Sequence, residues 1–157
     1  MKRTKENTLY LTIKQKYFDQ ILAGTKKEEY REIKDTTALK YLKYWQEGKE
    51  KGLYYDPEKT DGDPGGGICV WNNGVYPYYP KPYKYLHLAV GYAKDRDEMF
   101  VEVVDITFEP LKANNGNDAR FDVEGDDYIL SENGDYCIWQ VVYHLGKVVE
   151  TDLKKDR

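Results

Sequence analysis

The chain has 157 residues, 40% of them hydrophobic and 33% charged, with sixteen tyrosines and a net charge of −4. That length suits one domain whose core needs no covalent staples, and the hydrophobic content is too high for a disordered chain. Overall charge excludes non-specific grip on a phosphate backbone, which comes from counterions released by Lys and Arg, so nucleic acid would need a local basic cleft.

The charge is unevenly spread. Residues 1–43 carry eleven Lys/Arg against six Asp/Glu, residues 44–83 four against six, and residues 84–157 nine against sixteen. The basic excess begins in a tail, residues 1–7 (MKRTKEN). Alternation follows that tail rather than an apolar signal core, and no run reaches membrane-spanning length, so a cytoplasmic protein with no membrane partner is expected. Cys69 and Cys137 lie far apart, without the spacing of a zinc site or a disulfide framework, and read as free, partly buried thiols in a reducing compartment.

In chain order, Leu9, Leu11 and Ile13 alternate with polar neighbours and predict a half-buried first strand. Tyr17, Phe18, Ile21 and Leu22 recur at helical spacing, and Gly24 stands where a left-handed residue closes a helix of about two turns. Lys26 to Ile33 (KKEEYREI) reads as a charged strand with Glu29, Arg31 and Ile33 on one face and Glu28, Tyr30 and Glu32 on the other. Thr36 or Thr37 can cap a second helix, with Leu39, Tyr41, Leu42 and Trp45 as a packing stripe that runs toward Gly48.

From 49 to 84 periodicity is lost, and Gly65-Gly66-Gly67 with five prolines marks a long irregular segment, with a short strand at Ile68 to Trp71. Tyr85 to Ala93, Met99 to Phe108 and Tyr136 to Val149 read as strands, the first two joined by a polar hairpin turn at Lys94 to Glu98. Between the last two, Asn114 to Gly134 reads as a solvated loop with a short strand or turn at Tyr128 to Leu130. Short strands around two early helices indicate an α+β chain forming a small mixed β-barrel, one domain over 1–157, rather than a doubly wound sheet.

No metal or cofactor is expected. His87 and His144 lack a neighbouring ligand cluster and read as structural histidines. The triple glycine lacks the Gly-Lys-Ser/Thr ending of a P-loop, and the acidic groups at Asp56, Asp61 and Asp63 and at Asp126-Asp127 lack the order of a calcium loop. Tyr17, Tyr30, Trp45, Trp71 and the Tyr76 to Tyr85 cluster offer stacking surfaces for bases, although core packing is the commoner use of such residues.

The densest polar run is Gly24-Thr25-Lys26-Lys27-Glu28-Glu29-Tyr30-Arg31. It resembles the G-x-K-x-x-E-x-R signature of the ASCH family, matched at Gly24, Lys26, Glu29 and Arg31. The resemblance extends to LYLTIKQKYFDQILAGTKKEEYRE, YLHLAVGYAKDRDEMFVEVVDITFE and WQVVYHLGKVVE. It implies a PUA-like barrel with a cleft beside the signature that takes RNA, a nucleotide or a modified nucleoside. Lys26 can act there as a mobile charge for phosphate, and Arg31 as a planar clamp for phosphate or a base edge; Glu29 can orient Arg31 or accept from a base amino group, and Tyr30 adjoins them. Lys26 can join this group only from the turn after Gly24.

Some members of the wider family hydrolyse acetylated cytidine with a lysine, a threonine and a glutamate. Here Lys26 matches the lysine, but Glu29 stands where the threonine nucleophile is expected, and a carboxylate does not replace a hydroxyl nucleophile without a change of mechanism. The rival to a binding domain is an enzyme, either a nucleoside amidohydrolase or a nucleic-acid hydrolase, using Lys26 and Glu29 around a bound base. The third reading is a protein-interaction module built on the tyrosine-rich segment, with the charged strand passive.

Overall fold

A computed structural model describes residues 2–60, 75–125 and 127–155. By compactness the chain divides into two units interleaved along the sequence, one of residues 1–29, 82–106 and 143–157, the other of 30–81 and 107–142.

The first unit begins with β1 (Thr8–Ile13) and α1 (Gln15–Leu22). Alternation in β1 sends Leu9, Leu11 and Ile13 inward, and α1 buries Phe18 and Ile21. Gly24 adopts φ +79, and the chain folds back so that the Thr25 and Lys26 amides both donate to the Gln20 carbonyl, satisfying the helix end. β2 (Glu28–Glu32) starts in this unit and continues into the second. β5 (Tyr85–Val90) pairs in parallel with β1 and antiparallel with β6 (Glu98–Pro110). Leu86, Leu88, Met99 and Val101 complete this core.

The polar turn before β6 contains a buried anchor. Asp97 is 2% exposed; its carboxylate accepts the backbone N–H of Lys154 (2.6 Å) and Lys155 (2.8 Å) and the side-chain amide of Gln15 (3.0 Å). It ties the C-terminal segment to the first residue of α1.

The second unit contains α2 (Ala38–Tyr41), the hairpin of β3 (Tyr44–Glu47) and β4 (Glu50–Leu53), and a three-stranded sheet of β7 (Arg120–Glu124), β8 (Asp127–Leu130) and β9 (Tyr136–Cys137). Its buried residues include Ile33, Tyr41, Leu42, Tyr76, Tyr78 and Val141. β10 (Trp139–Asp152) starts here and ends in the first unit.

Three expectations need correction here. The second helix ends at Tyr41 instead of running on to Trp45. Leu42 is already extended (φ −103, ψ 144), the Lys43 amide donates to the Tyr79 carbonyl, and the Lys43 carbonyl accepts from Tyr54, so non-local bonds replace helical ones. Gly48, read as the end of a helical stripe, instead turns a hairpin at φ +60, with Glu47 paired to Glu50. Trp45 lies exposed over Gly52, where a Cβ would come within 2.5 Å of the indole ring. The segment 49–84 accordingly contains β4; the strand expected at Ile68 to Trp71 falls outside the described residues. Residues 114–134, expected as a loop with a short strand or turn at Tyr128 to Leu130, carry β8 there and also β7, and the two meet at the pair Glu124 and Asp127 beside Gly125 (φ +64).

The α+β class holds, with strands in the majority, but barrel closure does not. Among the described residues the main sheet is open, in the order β1-β5-β6-β10-β2. Closure requires the outer edges of the first and last strands to pair, and β1 and β2 stand at opposite ends of the order. No helix is long and apolar enough to cross a membrane among these residues.

Candidate functional site

The local fold around Gly24 decides where Lys26 goes. Because β2 begins only at Glu28, Lys26 lies in the turn, outside the alternation of the strand. The double hydrogen bond to Gln20 holds it against the end of α1. Its ammonium lies 3.9 Å from the Glu29 carboxylate and 5.3 Å from the centre of the Tyr17 ring. The Lys26 side chain is 18% exposed and that of Glu29 6%, whereas Tyr17 is 39% exposed. Lys16 approaches the same ring, its ammonium 5.8 Å from the centroid.

Three elements thus bring a cation, a carboxylate and an aromatic ring together in the first unit: the helix supplies Tyr17, the turn Lys26 and the strand Glu29. Chemically, an ammonium with a carboxylate beside it can hold a phosphate or polarise a carbonyl, and an open ring edge or face can stack a base. On the other face of β2, Glu28 Oε1 lies 3.4 Å from His144 Nδ1, and the Leu145 amide donates to the Lys27 carbonyl at 2.9 Å. His144 is thus paired with Glu28.

Tyr30 and Arg31 belong to the second unit. Tyr30 is exposed, and Arg31 Nη1 donates to its carbonyl at 2.8 Å. Tyr41 shows the reach of that guanidinium: burial holds its phenol above the ordinary 10.0, and Arg31 opposes the shift. In the sequence Tyr17 is one aromatic among several that offer a stacking surface. Its signal was there, three residues before the Gln20 carbonyl that the Gly24 turn folds back upon.

The tyrosine-rich segment is mostly core. Tyr76 and Tyr78 are buried, and the Tyr76 ring packs against Tyr78, Phe108 and Trp139 at centroid distances of 5.2, 4.7 and 5.1 Å. Tyr79 remains exposed. Cys137 is a buried free thiol, while Cys69 lies outside the described residues. Among those described, no three His, Cys, Asp or Glu side chains cluster in a way that would hold a metal.

No family model matches this chain, and neither the curated proteins nor the solved structures yield a significant match.

Proposed function

We propose that the chain is an ASCH-like, PUA-related binding domain, and that the cluster of Lys26, Glu29 and Tyr17 recognises an unpaired RNA base or a modified nucleoside. The observation that carries this reading is the 3.9 Å approach of Lys26 to the buried Glu29 carboxylate, next to the exposed Tyr17 ring. In this reading Tyr17 stacks the base, Glu29 accepts from an amino group of the base, and Lys26 meets a phosphate or carbonyl oxygen. The signature residues Gly24, Lys26 and Glu29 support it, because the glycine makes the turn that delivers the lysine.

A purely protective role for the charges competes with this reading. β2 ends the sheet order, and charged edge strands, including ones with inward-pointing charges, block unwanted pairing. Edge protection requires neither a lysine held from outside the strand nor an exposed ring from a helix, and recognition uses both.

The test is fluorescence anisotropy with short single-stranded RNA, competed by cytidine and acetylated cytidine, for wild type, Lys26→Ala, Tyr17→Leu and Glu29→Gln. Lys26→Ala and Tyr17→Leu are each expected to weaken binding about tenfold. Unchanged affinity in both folded variants would sink the reading. Turnover of acetylated cytidine that disappears in Glu29→Gln while binding persists would make the site an enzyme's.

A further inference from the structure

The basic N-terminal tail and the solvent-side face of the first unit's sheet have no part in the reading above, yet they meet in a cavity. Parallel pairing sets Tyr10 of β1 opposite His87 of β5, and antiparallel pairing sets His87 opposite Phe100 of β6. The three rings therefore form a single row across three strands. Tyr10 meets His87 edge-on at 4.9 Å, and His87 stacks on Phe100 at 4.3 Å with 20° between their planes. Alternation buries their sequence neighbours Leu9, Leu11, Leu86, Leu88, Met99 and Val101, so the row lies on the opposite face from that core.

The tail is folded over this row. Thr4 and Asn7 exchange hydrogen bonds, the Thr4 amide to Asn7 Oδ1 at 2.7 Å and the Asn7 amide to Thr4 Oγ1 at 3.2 Å, and Asn7 Nδ2 donates to the Lys2 carbonyl at 2.9 Å. The Arg3 guanidinium lies 4.3 Å from the Phe100 ring centre and bonds Glu150 at 2.9 Å. Lys2, Arg3 and Lys5 with the three rings line a cavity of about 670 Å³, within the range of small-molecule sites. His87 Nε2 is fixed by Glu98 at 3.0 Å, and Arg96 lies 3.6 Å from the same carboxylate, which orients the imidazole.

We propose that this cavity binds an aromatic base carrying a phosphate group, either a free nucleotide or one unpaired nucleotide of a single strand. The base lies against the Tyr10–His87 end of the row, because Arg3 already covers Phe100. Its phosphate takes Lys2, Lys5 and the Arg3 fork, displacing Glu150 from the guanidinium, since Arg binds phosphate in the same bidentate manner as carboxylate. A row that served only to stabilise the sheet would need cross-strand packing alone. Three cations positioned by a hydrogen-bonded turn over that row fit an anion attached to a ring.

Backbone amide NMR tests this on the full chain at low salt, with adenosine monophosphate, adenosine, inorganic phosphate and a five-nucleotide single-stranded RNA as probes. The nucleotide is expected to shift residues 2–5, 10, 87 and 100, and to bind at least about tenfold more tightly than adenosine or phosphate alone. Arg3→Ala and Tyr10→Leu, both at accessible side chains and each verified as folded by its spectrum, are each expected to weaken it about tenfold. Stronger binding of the RNA than of the mononucleotide identifies a strand as the source of the ligand, and equal binding a free nucleotide. The proposal is overturned if neither the mononucleotide nor the RNA shifts these residues, or if affinity is unmoved in both variants. Binding lost in Lys26→Ala but retained in Arg3→Ala and Tyr10→Leu would likewise overturn it while leaving the Lys26 site standing.

Discussion

The two units build their strands by different routes. In the first, β1 pairs with β5 across a long stretch of chain, in a register from Thr8 opposite Tyr85 to Ile13 opposite Val90, and aliphatic residues on the shared face are buried. In the second, β3–β4 and β7–β8 are local hairpins turned at Gly48 and Gly125, and much of their surface stays open, with Trp45, Val123 and Leu130 all exposed. Long-range pairing costs loop entropy that only a buried core repays, while a local hairpin needs little more than a turn and a register. Damage to the first arrangement should therefore spread, and damage to the second should stay local.

The largest effect is expected at Asp97. Asp97→Ala leaves the amides of Lys154 and Lys155 without their buried carboxylate, and unfolding by urea should show a loss of about 2–4 kcal/mol. Amide exchange should accelerate throughout β1, β5 and β6. An effect confined to the C-terminal residues would show that Asp97 only pins a tail and would break the contrast between the units.

Gly134→Ala should act more narrowly. A Cβ there would sit 2.4 Å from the backbone carbonyl of Phe121, too close for any side-chain rotation to relieve, so β7 or the turn before β9 must shift. The expected loss is about 1–2 kcal/mol, capped by the stability of the three-stranded sheet itself. Faster exchange should appear in β7 to β9 and leave β1 and β5 unchanged.

The smallest effect is a dependence on alkaline pH. Burial, reinforced by Asp118, holds the Cys137 thiol above its ordinary 9.0, with Arg120 and Lys112 opposing. A thiol whose folded pKa is raised adds stability that is complete below pH 9.0 and is lost as the pH rises through the folded value, because the unfolded chain ionises first. The urea midpoint should fall on going from pH 8 to pH 10, and Cys137→Ala should flatten that slope. An unaltered slope in the variant over this window would sink the assignment to Cys137; the raised Tyr41 phenol contributes with the same sign, but only above pH 10.0.

Legibility followed the same division. Alternation at Leu9, Leu11 and Ile13, the helical spacing of Phe18 and Ile21, and the glycine after them are short-range signals, and the structure has a strand, a helix and a left-handed turn at those places. The route by which Lys26 reaches Glu29 followed from the same turn. Misreadings came where a short-range signal had two meanings. Leu39, Leu42 and Trp45 have helical spacing, but Tyr44-Trp45 also suits a strand and Gly48 also turns a hairpin, and the Tyr79 carbonyl decided between them.

By itself the sequence determined the first unit's early elements and the inward face of β1, because backbone alternation and a glycine's freedom at positive φ act within a few residues. Only the tertiary structure decided that the sheet stays open, that Tyr76 and Tyr78 are core, and that Tyr10, His87 and Phe100 stand in one row with Arg3 over Phe100. Those facts depend on register between distant segments, and register is selected by the burial of the whole opposite face rather than by any residue in the row.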